Sequence, residues 1–301
     1  MMRQMAFAVL MRQMVRASSS AADRVCSAAQ GPQAYKLLEK WKTSPDSWVL
    51  RFALPSPMIR LAADPSLPTC IKVTFNGTDE AGAPKQLSRS YSPVSLPATE
   101  ATVDLLVKAY RPGGGGAHLC GLGPGDIMTA EVKAERMMHG SAAVARRWKH
   151  IGLVGGGTGV APLIQVARIV LADAADATRV SMLCVHRRRE DILMRRELDE
   201  LAAAHPERFV VTHALTKPDE AWDGPVGRGS VELARAALPA PAGDGSVMVL
   251  VCGTDGFVET WGGPIGRGPP KPDGSKGPKV QGPLLGLLAD AGFDASEVFK
   301  Y

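Results

Sequence analysis

His150-Ile151-Gly152-Leu153-Val154-Gly155-Gly156-Gly157-Thr158-Gly159-Val160-Ala161-Pro162 runs from an apolar segment through a cluster of glycines into a stretch with helical spacing. Residues 150–154 are apolar enough for a strand covered on both faces, as the central strand of a parallel sheet is. Glycines let a chain turn tightly and bring its backbone close to a bound group. The predicted helix at 162–171 then presents free N–H groups and the positive end of its dipole. Strand, loop and helix together suit a dinucleotide pyrophosphate. The glycines do not follow the spaced G-x-G-x-x-G arrangement, so the Rossmann label does not transfer on spacing alone. A plain turn would not need four glycines and a threonine.

Outward from this loop, residues 180–185, 209–215 and 247–252 read as further buried strands. The segment 191–204 reads as a charged helix and 282–291 as a late one. Strand alternating with helix implies a doubly wound parallel sheet. Upstream, the short runs 47–54, 70–75 and 103–110 are rich in Val, Ile, Leu and aromatics. Pro, Gly and Asp clusters at 55–57, 64–68, 76–84 and 113–116 separate them, a pattern of regularly spaced strands that suggests a barrel. The predicted fold is therefore an antiparallel β-barrel domain over 32–146 followed by an α/β doubly wound parallel-sheet domain over 147–301. Within the second, 262–283 is a Gly/Pro/Lys-rich loop too long for an ordinary connection.

A length of 301 residues suits two domains, and 45% apolar with 22% charged residues is an ordinary globular composition. The five cysteines (Cys26, Cys70, Cys120, Cys184 and Cys252) are dispersed, which argues against a disulfide framework and a zinc cluster. A net charge of +5 suits an acidic protein partner and falls short of the dense basic stripe of a nucleic-acid binder. Residues 1–31 hold Arg3, Arg12, Arg16 and Arg24 against Asp23 alone, with Ser18, Ser19 and Ser20 among them. That composition is transit-like, implying a mitochondrial or other organellar address, with a disordered tail and a cytoplasmic protein as the alternative. The longest apolar run there, Met5 to Met11, is too short to span a bilayer, so membrane contact is expected to be peripheral at most.

Two further constellations carry chemistry. Arg89-Ser90-Tyr91-Ser92-Pro93 ends a predicted barrel strand and offers a phosphate clamp, a flat face and a hydroxyl. Val251-Cys252-Gly253-Thr254-Asp255-Gly256-Phe257 carries a strand into glycines, placing a thiol at the carboxyl edge of the sheet, where open α/β sheets bind ligands.

The order and spacing of these segments resemble the ferredoxin reductase-like superfamily, and most closely its NADH–cytochrome b5 reductase branch. The R-x-Y-[ST]-P pattern is Arg89 to Pro93, V-K-x-Y is Val107-Lys108-Ala109-Tyr110, and the GGTG-[IV]-[AT]-P loop is Gly156 to Pro162. Asp191-Ile192-Leu193-Met194-Arg195-Arg196-Glu197-Leu198, Cys252 to Gly256 and the closing Val298-Phe299-Lys300-Tyr301 complete the set, so the likeness covers roughly residues 34–301. It implies a flavoprotein that takes hydride from NAD(P)H onto FAD and releases single electrons to an acceptor such as cytochrome b5. A catalytically inactive accessory subunit that keeps the fold is the rival reading.

By the same resemblance, Arg89 would neutralise the FAD pyrophosphate, Tyr91 would lie against the isoalloxazine, and Ser92, ahead of Pro93, would bond near N5. Val107, Lys108 and Tyr110 would run along the ribityl and phosphate side, with His118 packing near the phosphates. Gly115-Gly116-Ala117 would hold the phosphates ahead of Pro124-Gly125-Asp126. Thr158 would contact the nicotinamide above Gly156 and Gly157, Cys252 would flank the hydride path, and Gly253, Gly256 and Phe257 would shape the pocket. Two departures stand out. Gly116 falls where the family carries a serine hydroxyl. Thr216, followed by Lys217, stands where NADH-selective members carry a carboxylate, with His186-Arg187-Arg188-Arg189 at another strand end. NADH and NADPH therefore both stay open. The Lys- and Arg-bearing 262–283 loop reads either as a solvated loop or as a rim for an acidic acceptor.

Overall fold

A computed structural model of the protein describes residues 31–55, 68–78, 82–95, 101–110, 112–133, 144, 146–270, 272 and 277–301. The basic segment 1–30 and Lys271, Asp273 and Lys276 lie outside the described residues.

Six antiparallel strands form the first sheet: β1 (Gln33–Ser44), β2 (Ser47–Ala53), β3 (Cys70–Thr78), β4 (Pro84–Tyr91), β5 (Thr102–Lys108) and β6 (Ile127–Lys133). Their order is β4-β3-β6-β1-β2-β5. The two outer strands meet just beyond β4, where Pro93 bridges Leu105 and the Val94 N–H donates to the Asp104 carbonyl at 2.9 Å. Closure into a barrel removes the open edges that an antiparallel sheet otherwise exposes. Alternate side chains point inward, so Leu37, Leu50, Phe52, Ile71, Leu105 and Met128 form a core with almost no exposure. A short helix, α1 (Gly115–Gly121), plugs one end with Leu119. Lys40 of β1 fixes it there, donating from Nζ to the Cys120 and Leu122 carbonyls at 3.0 and 2.6 Å, groups a helix C-terminus leaves unpaired.

The second sheet is parallel, with β7 (His150–Gly156), β8 (Arg179–His186), β9 (Phe209–Leu215), β10 (Val247–Cys252) and β13 (Val298–Lys300) in the order β13-β10-β7-β8-β9. Helices α2 (Val160–Ala172), α3 (Arg195–Ala204), α4 (Val231–Ala237), α5 (Asp255–Gly262) and α6 (Gly286–Asp290) pack around it. α2 is buried nearly all round because it lies between this sheet and the barrel; its Ile164 and Val166 share one core with Val49, Val94 and Leu106 of the barrel.

Two expectations need correction. The late helix covers only Gly286–Asp290 rather than 282–291, since Pro283 precedes it and Gly286 adopts φ 68. The stretch 262–283 is not a featureless loop: β11 (Ile265–Arg267) pairs antiparallel with β12 (Lys279–Gln281). Lys300 holds the base of this hairpin. Its buried ammonium donates to the carbonyls of Gly262, Pro264, Gly282 and Pro283 at 2.8–3.1 Å. Among the described residues no helix is long and apolar enough to cross a membrane.

Candidate active site

The barrel contributes an exposed strand and a helix start. β4 pairs with β3 so that Arg89 lies opposite Val73 and Tyr91 opposite Ile71, and Ser92 follows as the chain turns inward. Arg89 is exposed and forms no ion pair among the described residues; its Nη1 donates only to the neighbouring Ser88 carbonyl. Burial pushes the Tyr91 phenol up to about 12, with the Cys120 thiol adding to the effect and the Arg89 charge opposing it, so Tyr91 stays neutral at every physiological pH. Lys108, at the end of β5, donates to Asp46 Oδ1 at 2.8 Å, and its ammonium lies 5.9 Å from the Tyr110 ring centre. That pairing, together with Ser44 and Ser47, holds the Asp46 carboxyl below its ordinary range even though burial acts the other way.

The glycines at the start of α1 are there for space. A Cβ on Gly116 would lie 2.1 Å from the Lys108 carbonyl oxygen, and one on Gly115 would lie 2.9 Å from the Phe75 ring. No side chain fits at Gly116, so the hydroxyl missing from the family pattern has no place in this backbone. His118, one turn on, stacks on Phe75 with ring centres 5.3 Å apart.

The parallel sheet supplies the other wall. Gly157 takes φ 53, a left-handed conformation glycine adopts without strain. Gly159 approaches the end of β10 so closely that a Cβ would sit 2.2 Å from the Cys252 carbonyl oxygen. Phe257, in the first turn of α5, wedges between Gly156 and Gly253, whose hypothetical Cβ atoms would come within 2.8 and 2.6 Å of its ring. The Thr254 hydroxyl caps that helix. Cys252 is half-buried at the junction. Its order in the sheet, with β10 and β8 flanking β7, makes the β10–β7 boundary the switch point where open α/β sheets hold ligands.

The two walls enclose a cavity of about 410 Å³, lined from the barrel by Arg89, Ser90, Tyr91, Ser92, Leu106, Lys108, Tyr110 and Gly114 to Gly116. Gly156, Thr158, Gly159, Ala161, Pro162, Cys252, Gly253 and Thr254 line it from the sheet. The Tyr110 and Thr158 hydroxyls share a hydrogen bond of 2.6 Å across it. Away from the cavity the lobes are tied by polar pairs, one buried and one half-buried. The Thr69 N–H donates to Gln165 Oε1 at 2.9 Å, and the Met194 N–H donates to Thr43 Oγ1 at 2.8 Å.

Of the sequence-predicted residues, Arg89, Tyr91, Ser92, Lys108, Tyr110, Gly115, Gly116, Gly156, Thr158, Cys252 and Gly253 come together around this space. Pro93, Val107, Ala117, Gly157, Gly256 and Phe257 are not among its lining residues. Val107 is a barrel-core side chain, Pro93 takes part in barrel closure, and Phe257 packs under the glycines. Sequence reasoning missed Asp46, Gln165 and the Tyr110–Thr158 pair. The Asp46 turn between β1 and β2 carries no local mark of its partner 62 residues away. Gln165 differs from its neighbours only as a polar residue inside an apolar helix, the one signal that could have found it.

The surroundings fit a flat, phosphate-bearing cofactor such as FAD. A guanidinium with no ion-pair partner among the described residues, a neutral phenol and a helix start stripped of side chains face the cavity from the barrel, and the glycine loop with Thr158 faces it from the sheet. At the far ends of β8 and β9, His186 is buried and accepts the Leu193 N–H at 3.3 Å. Burial, with smaller effects from His213 and Lys108, lowers its pKa to about 3, so it is uncharged.

Residues 34–136 match the oxidoreductase FAD-binding domain family and residues 153–261 the oxidoreductase NAD-binding domain family. The chain is 31% identical over 268 residues to an NADH-cytochrome b5 reductase-like protein of Arabidopsis thaliana, covering 89% of this chain and 76% of that one. It is 36% identical over 226 residues to NADH-cytochrome b5 reductase 1 of Aspergillus clavatus, covering 73% of this chain and 69% of the relative. Among solved structures, the cytochrome b5 reductase domain of Ulva prolifera nitrate reductase superposes with a TM-score of 0.69 at 22% identity, over 91% of this chain and 98% of that one, a likeness of fold.

Proposed function

The chain belongs to the NADH-cytochrome b5 reductase family, and from that membership we propose that it passes electrons singly to a separate acceptor protein such as cytochrome b5. It is a flavoprotein oxidoreductase with FAD and NADH as its cofactors. The observation that carries the reading is the single cavity in which Tyr91 and Ser92 of the barrel face Thr158 and Cys252 of the sheet. FAD held there supplies the chemistry, taking two electrons as hydride and returning them one at a time.

The protein's part is placement. Arg89, with no carboxylate to neutralise it among the described residues, is the cation for a pyrophosphate. Tyr91, held neutral, offers an aromatic face, and the buried Ser92 hydroxyl beside it offers a hydrogen bond to a ring heteroatom. Thr158 is oriented by Tyr110 and sits at the mouth of the glycine loop, where a nicotinamide would be held. Cys252 lines the same opening from the end of β10. The buried Thr69–Gln165 pair keeps the two walls in register, and a hydride step is sensitive to misplacement of that kind. No side chain has to act as a strong acid or base.

An anaerobic absorbance titration tests this. A yellow protein should bleach with NADH and reoxidise on adding ferric cytochrome b5. The Cys252→Ala variant should keep its flavin and bleach more slowly. A colourless protein that neither takes up FAD nor bleaches would establish the accessory-subunit alternative. A protein that bleaches but leaves cytochrome b5 oxidised would remove that acceptor. The Arg-rich first 31 residues support a mitochondrial address; import of the full chain, compared with a chain starting at residue 32, tests it.

A further inference from the structure

We propose that a second cavity between the two lobes, at the other end of α2 from the cofactor cavity, binds a small uncharged molecule that is mainly apolar and carries one carbonyl oxygen. Trp41 is the residue that recognises the oxygen. The site is separate from the one used in the reductase reading and does not depend on it.

This cavity has a volume of about 390 Å³ and shares no lining residue with the one that holds Tyr91, Ser92, Thr158 and Cys252. Helix α2 borders both. Ala161 and Pro162 at its start line the cofactor cavity, whereas Leu171 and Ala172 at its end line this one. The barrel supplies the facing wall, where strand register sets Trp41 of β1 opposite Val49 of β2. Two ties between the lobes adjoin the space. The Arg168 Nη1 donates to the Val94 carbonyl at 2.5 Å, and the Met194 N–H donates to Thr43 Oγ1 at 2.8 Å. A molecule held here touches both lobes at once.

Three properties define the occupant. The lining is mainly apolar: Val49, Leu171 and Met194 belong to the core the lobes share, and Trp41 and Leu201 pack against it. The Trp41 indole N–H is buried and meets no acceptor among the described residues. Buried donors are almost always bonded, so this one marks a place for an oxygen that the protein itself does not supply. The charges around the rim answer one another. Arg51 grips both oxygens of Asp104 at 2.8 and 2.9 Å and meets Glu39 at 2.9 Å, while Arg196 lies 3.6 Å from Glu197 and 3.8 Å from Glu200. That rim calls for no added charge, and an anion would be set beside four carboxylates.

A water molecule would satisfy the indole but leave the apolar walls uncovered; a small ketone does both. Occupancy also bears on the cofactor site through one stretch of chain. Ser95, which lines this cavity and accepts the Asp104 N–H at 3.0 Å, stands three residues beyond Ser92 in the other. A ligand bound to both lobes of the folded chain and not to the unfolded one raises its stability by mass action.

The test is an NMR titration of the full chain carrying isotope-labelled tryptophan, with no nucleotide added. The probes are acetophenone, ethylbenzene and benzoate, which share a ring and differ in offering a carbonyl, no acceptor or a charge. The Trp41 indole N–H signal, identified by its loss in Trp41→Phe, should move saturably with millimolar acetophenone, and Tm should rise over the same range. Ethylbenzene and benzoate should bind about three- to tenfold more weakly, the one lacking the hydrogen bond and the other paying to shed its water. Ala172→Phe puts a ring at the exposed rim, where the fold has room for it, and should abolish the shift. The inference is overturned if acetophenone leaves the Trp41 signal unmoved, if ethylbenzene or benzoate binds as well as the ketone, or if Ala172→Phe titrates like the parent.

Discussion

Replacing Gly116 with serine, the residue the family pattern carries, should harm the protein rather than restore a lost contact. The Cβ would lie 2.1 Å from the Lys108 carbonyl oxygen and 3.1 Å from its carbonyl carbon. Ordinary carbon–oxygen contact is about 3.3 Å, so the first turn of α1 or the end of β5 must move by about 1 Å. Neither moves freely. Lys40 holds the other end of α1, Gly115 is pressed on the Phe75 ring, and the Lys108 side chain is paired with Asp46. Overpacking of this kind costs about 1–3 kcal/mol. For a chain of 301 residues, with an unfolding entropy of about 2.1 cal/mol/K per residue, that lowers Tm by about 2–5 °C. FAD retention should fall with it, because the displaced backbone lines the cavity. Thermal unfolding and the ratio of flavin to protein absorbance read both effects. Gly121→Ala, at the other end of the same helix with no atom within 4 Å of the added Cβ, is the control and should leave Tm unchanged or slightly raised. A Gly116→Ser protein with unchanged Tm and undiminished flavin would refute the argument.

Arg89→Ala should weaken FAD binding by ten- to a hundredfold, corresponding to the loss of a charge-assisted contact of about 1.5–3 kcal/mol, and unaltered flavin content would remove Arg89 from the site. Lys300→Met keeps the aliphatic stem but strips four carbonyls of their donor. It should cost about 2 kcal/mol or more and open 262–283 to protease, whereas unchanged Tm and cleavage would show the ammonium to be dispensable. His186 has a folded-state pKa lowered to about 3 against an ordinary value of 6.5, so between those limits the unfolded chain binds the extra proton. Stability should therefore fall as pH drops through this window, by up to about 1.4 kcal/mol per pH unit from this group. Denaturation midpoints compared for the parent and His186→Leu should show a shallower acid loss in the variant.

The parallel sheet was legible almost strand for strand, because a strand covered on both faces must be a run of apolar residues, and 150–154, 180–185 and 247–252 are such runs; 209–215, read as equally buried, is instead the half-exposed edge strand. The glycine loop was legible for a similar reason: tight turns and close approach demand glycine locally, as at Gly157 and Gly159. The helix α1 was not. Gly113 to Gly116 read as a turn, and glycine-rich segments have little helical tendency of their own. The helix forms because Leu119 fills the barrel end and Lys40, 80 residues from Cys120 in sequence, caps its carbonyls. The hairpin within 262–283 likewise depends on Lys300, and Gln281 ties to the Lys300 backbone.

The amino-acid sequence by itself determined the two kinds of sheet, their order along the chain and most of the residues that line the cavity between them. Only the tertiary structure decided that Lys108 is paired with Asp46, that Tyr110 meets Thr158, and that Gly116 leaves no room for a hydroxyl. The reason is range. Periodicity and turn chemistry are written in adjacent residues. Pairing of charges, steric exclusion and closure of a barrel depend on groups that folding alone brings within a few ångströms.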